Sequence, residues 1–310
     1  MSVGVVSTTG LSPKMERLTR TRAPRVPAPP WARGMAMLLA MISAGMLLFA
    51  VDLLLISPEQ HKTVQAQLYG QLRLQLAEGS APVSPVTSDG KVLPLGSPVA
   101  VFDFSTIGIH REVAVEGTGS GQTMEGIGHR RDTAMPCQVG TSVLMARDGA
   151  FGAVGGAWKW LAPGDQFTVT MGQGQCTYEV LAQRSTGDAA PVAPTGREGR
   201  IVLTTAAGAP FMPTDVQRVD AELVTPAFDR PTAQIPVGSL PSSELAMGSD
   251  DGQLFGLVLL LEALAAVIIT GMWLWRRWNH WQTWIAVGPL VLALGLLCAH
   301  SATYLLPNLL

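Results

Sequence analysis

Charge is scarce in this chain of 310 residues: only 14% are Asp, Glu, Lys or Arg. Soluble domains usually carry roughly 25%, so the shortage excludes a protein that is soluble along its whole length and implies segments in lipid. Neither sign dominates. The net charge is −2, and no global field is present to draw nucleic acid. Cysteine is also scarce, with three residues (Cys137, Cys176 and Cys298), which excludes a disulfide-dense scaffold. The five histidines (His61, His110, His129, His280 and His300) are scattered without ligand spacing, so no metal site and no cofactor is expected. The glycine-rich run at 117–122 (GTGSGQ) lacks the strand-to-helix setting and following Lys of a phosphate loop and is expected to be a turn between strands. No Gly-x-Ser-x-Gly elbow occurs.

What the chain has in quantity is apolar sequence, 47% of its residues. Three runs reach the roughly 20 residues a bilayer requires: 35–56, 254–275 and 284–306. Basic residues set their orientation. Residues 1–34 form a Pro-rich tail with Lys14, Arg17, Arg20, Arg22, Arg25 and Arg33 against the single acid Glu16, and the connector 276–283 opens on Arg276 and Arg277. Trp273, Trp275, Trp278, Trp281 and Trp284 surround that connector as an interfacial belt. The tail and the connector are therefore expected in the cytoplasm, residues 57–253 outside, and 307–310 at the outer face. The apolar core of the first run exceeds the 7–15 residues of a signal peptide, and no small-x-small cleavage site follows it, so a signal anchor is favoured. Polar groups inside the spans are expected to face protein or water. Glu262 either pairs with His300 or a partner subunit or snorkels outward, whereas Asp52 is expected to snorkel.

Outside the membrane, 57–79 is rich in Gln, Leu and Ala, and Leu68, Leu72, Leu74 and Leu76 give it an imperfect helical stripe, as for a stalk. Two Ser-, Pro- and Gly-rich stretches, 80–95 and 238–252, read as linkers around a folded unit at 96–237. Within that unit, strands are expected at 99–104, 110–116, 141–146, 166–171, 175–182, 200–205 and 218–225, with a hairpin turn at 172–174. Seven or so short strands with little helical periodicity indicate a mostly β domain, either a closed barrel or a sandwich. Cys137 and Cys176 both fall where disulfides are permitted. Whether their Cα atoms come within bridging distance is not written in the sequence.

The order of motifs narrows the choice. The stretch VEGTGSG followed by GIGHRRDTAMPCQVGTSVLMA (115–146), then WLAPGDQFTVT (160–170), VLTTA (202–206) and VQRVDAELV (216–224) resembles actinobacterial class E-like sortases over residues 96–225. The resemblance implies a sortase-like closed β-barrel. It also implies the cysteine transpeptidase chemistry of that family, in which a cysteine attacks a threonine carbonyl, a histidine handles protons and an arginine stabilises the oxyanion. Carried over position by position, the nucleophile after Thr205 falls on Ala206, and the histidine position falls on Arg147 or Asp148, while the arginine matches Arg218. Two of the three roles are empty.

Thr205, Arg147, His129 and Arg218 remain as candidate groove residues. His129 is expected to be structural or at the surface, and Arg218 either a strand-end residue beside a carboxylate or a retained peptide-binding group. The reading that follows is a membrane-anchored, multi-pass, extracytoplasmic sortase-like protein without catalysis. Its expected partners are a secreted or membrane protein or peptide, a second, intact sortase or that enzyme's substrate, and membrane lipid, but no nucleic acid. The alternative is an active transpeptidase or hydrolase using displaced residues, with Cys137 as nucleophile and His129 as its base.

Overall fold

The computed structural model describes residues 29–87, 89–232, 234–278 and 280–310. The basic tail expected at 1–34 lies almost wholly outside the described residues. The chain divides into two compact units, Met1–Ser43 and Ala44–Leu310. The described part of the first holds the opening turns of helix α1 (Pro30–Val51), with Met37, Leu38 and Leu39 exposed.

In the second unit the helix does not stop where the first span was expected to end. It passes through a π-helical turn at Asp52–Ile56 into α2 (Ser57–Glu78), because the residues flanking the turn keep right-handed helical dihedrals. The stretch Gly34–Glu78 is long and apolar enough to cross a membrane, as are Asp251–Arg277 and Trp281–Thr303. The last two contain α5 (Leu254–Arg277) and α6 (His280–Thr303). Helix α6 ends at Thr303, short of the expected 306.

Asp52 does not snorkel. It is buried in the π-helical turn, with Oδ2 3.9 Å from Nδ1 of His300. Glu262 is exposed on α5, so the carboxylate facing His300 comes from the first span and not the second. A π-turn inserts one residue per turn and rotates its side chain relative to an ideal helix, a shift that 3.6-residue periodicity does not anticipate.

Helix α2 is not a free stalk. Its buried stripe is His61, Gln65, Leu68 and Leu72, while Leu74 is exposed. Leu68 and Leu72 pack on Val113 and Val115. Gln65 receives the N–H of Val113 at 2.7 Å and donates to the carbonyls of Val113 (3.1 Å) and Glu125 (2.8 Å). The expected linkers are ordered too. Leu93 and Ser84 are buried in the first, and Glu244 in the second is buried against Arg131.

The strands close into a barrel, which decides between barrel and sandwich. They are β1 (Pro98–Phe104), β2 (Ile109–Glu116), β3 (Ile127–His129), β4 (Gly140–Met145), β5 (Gln166–Met171), β6 (Gly174–Arg184), β7 (Gly199–Ala209) and β8 (Met212–Leu223). Their order around the barrel is β1-β2-β3-β4-β7-β8-β6-β5. The pairs β2–β3 and β4–β7 are parallel. Two short helices interrupt the series, α3 (Ser120–Glu125) and α4 (Val154–Trp158). The run expected as a simple glycine turn thus opens α3. Phe102, Phe104, Phe167, Tyr178 and Trp158 fill the interior, with Phe104 and Phe167 centroids 4.7 Å apart, a separation typical of favourable aromatic pairs.

Candidate functional site

Strand β4 lies parallel to β7 with Met145 opposite Thr204, and β7 lies antiparallel to β8 with Thr204 opposite Arg218 and Ala206 opposite Val216. This register sets Thr205 and Ala206, midway along β7, and Arg218, midway along β8, near the C-terminal end of β4, with Arg147 just beyond that end and His129 on β3 instead. Ala206 and Thr205 are fully buried on β7, and Thr205 Oγ1 has no hydrogen-bond partner among the described residues. A Cβ on Gly155, near the start of α4, would collide with Thr205 Oγ1 and the carbonyls of Ala146 and Arg147. The missing side chain is what lets α4 close over this end of the barrel.

Arg147 follows β4 and is 1% exposed. Its Nη1 donates to the main-chain oxygen of Leu310 at 2.8 Å and its Nη2 to the carbonyl of Ser120 at 3.3 Å, and the guanidinium stands over the Phe151 ring at 5.4 Å. Burial pulls its pKa down to about 10. No Asp or Glu side chain lies within ion-pair distance of it among the described residues. Asp148 is paired instead with Lys159 at 2.5 Å. Arg147 is thus a buried guanidinium that donates to main-chain oxygens, and an arginine does not shuttle protons near neutrality.

Arg218 is only partly buried on β8. Its pKa is lowered, by desolvation first and by neighbouring Arg184 second. The buried carboxylate nearby, Asp220, is bound by Arg184 through Nε at 2.5 Å. Asp215 and Asp220 act on Arg218 only as more distant charges.

The two members of the displaced-residue alternative are both engaged in other contacts. Cys137 is bonded to Cys176, and a sulfur in a disulfide is not a nucleophile. His129 is fully buried on β3, not in a turn or at the surface, with Nδ1 2.9 Å from Glu116 Oε2 and Nε2 2.9 Å from the Ala134 carbonyl. Both ring nitrogens face acceptors, the pattern of an imidazolium. Desolvation acts to lower its pKa, but the Glu116 charge and hydrogen bond, the Ala134 carbonyl and Asp132 outweigh it and leave the pKa raised.

A group whose folded pKa is raised contributes its stability below the unfolded value of about 6.5 and loses it as pH climbs through the folded value. Stability should therefore fall above pH 6.5, by at most about 1.4 kcal/mol per pH unit. Denaturant titrations of the chain and of His129→Gln at a series of pH values check this, since the slope should be absent from the variant.

The residues that sequence reasoning missed come from the far end of the chain. After α6, the segment 304–310 turns back onto the barrel, and Leu309 is buried among Met145, Ala206, Val216 and Met247. Ser120 Oγ donates to the Leu306 carbonyl at 3.1 Å, and the Asp148 N–H donates to that of Leu309 at 2.9 Å. Asn308 is fully buried. Its N–H reaches the Gly248 carbonyl at 2.8 Å, and its Nδ2 reaches the carbonyls of Thr118 at 2.7 Å and Leu245 at 2.8 Å. Residues 307–310 thus sit on the barrel and are not simply the outer end of a span. No metal-holding cluster of His, Cys, Asp or Glu occurs among the described residues.

A cavity of about 860 Å³ is lined by residues of α2, α3 and the end of α6, including Glu59, Glu125, Tyr304 and His300. Burial raises the pKa of Glu125 there.

No family model matches the chain, and no curated protein does. Solved structures similar to it include a Clostridium perfringens sortase D5 transpeptidase, at 18% identity and TM-score 0.42 over 53% of this chain and 99% of that one. Sortase C-1 from Actinomyces oris is similar at 26% identity and TM-score 0.34, over 41% of this chain and 75% of that one. Clostridium perfringens sortase C with the C-terminal cell wall sorting motif is similar at 18% identity and TM-score 0.38, over 54% and 90%.

Proposed function

We propose that this chain is a sortase-related, membrane-anchored protein whose barrel stands outside the cell membrane and binds a secreted or membrane protein partner without cleaving it. The observation that supports the reading is what stands where the motif resemblance would put thiol and imidazole: the buried methyl group of Ala206 and the buried guanidinium of Arg147. Nucleophilic acyl transfer requires a nucleophile and a base within hydrogen-bond reach of it, and neither side chain can serve. Cys137 and His129, in the disulfide and the Glu116 pair, do not replace them.

Binding can persist without the chemistry, because substrate contacts and nucleophilic attack are separate interactions. Spans before and after the barrel hold it close to lipid, where proteins emerging from secretion are met at high effective concentration. The partner is a chain in the course of envelope assembly or display, in an organism of the Gram-positive, actinobacterial kind that the motif resemblance indicates.

The test is to incubate the full chain in detergent with a sorting-signal peptide and, separately, with a thiol-reactive probe. No acyl-enzyme is expected by mass spectrometry, and crosslinking in native membranes is expected to capture a protein on the barrel. A covalent peptide adduct on the unaltered chain would sink the reading.

A further inference from the structure

The main-chain groups of 306–310 meet donors and acceptors in a dense pattern. The carbonyls of Leu306, Leu309 and Leu310 accept from Ser120, Asp148 and Arg147, and the Asn308 N–H donates to Gly248. Two side chains add selectivity: the Asn308 carboxamide nitrogen lies within hydrogen-bond distance of the carbonyls of Thr118, Leu245 and Ser243, and Leu309 packs among Met145, Ala206, Val216 and Met247. Main-chain bonds combined with pockets for particular side chains are how proteins read extended peptides.

Arg147 adds a buried polar anchor to this docking. A guanidinium buried to 1% exposure with no Asp or Glu partner among the described residues is expensive to desolvate, and its Nε has no partner among the described residues. It offers a donor beyond those the segment uses. The barrel holds this costly group at the place where the segment's carbonyl docks.

We propose that residues 306–310 are a tethered ligand of the cleft at the β4–β7 end, and that the cleft takes in trans a peptide carrying a carboxamide side chain followed by a branched aliphatic one. The inference rests on the reading of the barrel as a non-catalytic peptide binder and adds a gate to it. A segment joined to α6 by a few residues competes at high effective concentration, so a trans peptide gains the cleft only when the segment is withdrawn. Because the segment follows a span, a partner that shifts α6 in the membrane would open the cleft.

The test uses the full chain in detergent with Ala206→Cys as a reporter thiol and Cys298→Ala to remove the free thiol of the span; Cys137 and Cys176 are silent because they are bonded. With the segment intact, labelling by a hydrophilic maleimide is expected to be slow. Adding Leu309→Asp should speed it at least tenfold, and a synthetic peptide of residues 305–310 should restore protection where a scrambled peptide does not. Leu309→Ala leaves the main-chain bonds in place and serves as the second variant should Leu309→Asp fail to fold; it should speed labelling by a smaller factor. Fast labelling of the reporter with the segment intact, equal rates in all three proteins, or no protection by the peptide would each overturn the inference. Those outcomes leave partner binding standing, whereas a covalent sorting-peptide adduct on the unaltered chain would bring down the reading beneath it.

Discussion

Denaturant unfolding is expected to show the Cys137→Ala/Cys176→Ala double variant about 4 kcal/mol less stable than the oxidised chain. The two residues are 39 apart in sequence, and crosslinking a loop of that size removes loop-closure entropy from the unfolded ensemble. The bridge ties the segment before β4 to β6, strands that are not neighbours in the barrel. Both sulfurs are buried. Comparing oxidised chain, reduced chain and double variant separates the crosslink from the packing: reduction alone should account for most of the loss. A thiol count on the oxidised, denatured chain should return only Cys298, and reduction should add the other two. If Cys137 instead reacted in the native, oxidised chain, its sulfur would be free and its candidacy as a nucleophile would reopen.

The strands most legible in the sequence were those whose alternation is local. The apolar-run and alternating segments at 99–104, 110–116 and 166–171 lie within one residue of β1, β2 and β5. Strand β3 was not legible. It has three residues, one of them glycine, and exists because Ala114 and Val115 in β2 pair with Ile127 and Gly128. The two tryptophans beside Lys159 divide in the same way: Trp158 is fully buried and Trp160 is 81% exposed. Nothing in the sequence separates them, since the difference is which one α4 turns inward.

At the site, Ala206 was legible because Val202–Thr205 form a recognisable strand around it, and Arg147 because it follows one. Their covering was not. Asn308 meets Thr118 across 190 residues, and no local pattern encodes a contact at that range. Asp52 shows a related failure, because a π-turn changes the face on which a residue emerges. Likewise Glu116 read as a strand-end acid and His129 as a surface or structural histidine until the parallel pairing of β2 with β3 set them opposite each other.

That pair carries the other large expected effect. His129→Leu should lower stability by about 3–5 kcal/mol, because it leaves the Glu116 carboxylate buried without its cation. Glu116 is fully buried, and its Oε1 already lacks a partner among the described residues, so no spare hydrogen bonds compensate. The Ala134 carbonyl would lose its donor as well. Glu116→Leu/His129→Leu should recover part of the loss, since replacing both ions with apolar groups removes the desolvated charge. Only the orphaned Ala134 carbonyl would then remain, at about 1–3 kcal/mol. A double-mutant cycle read by denaturant unfolding measures the coupling. A strong coupling fixes His129 as a structural cation, committed to Glu116 and unable to serve a nucleophile. If His129→Leu were instead nearly neutral, the imidazole would be dispensable to the barrel, and a role in proton transfer would return as the better account of why a histidine stands there.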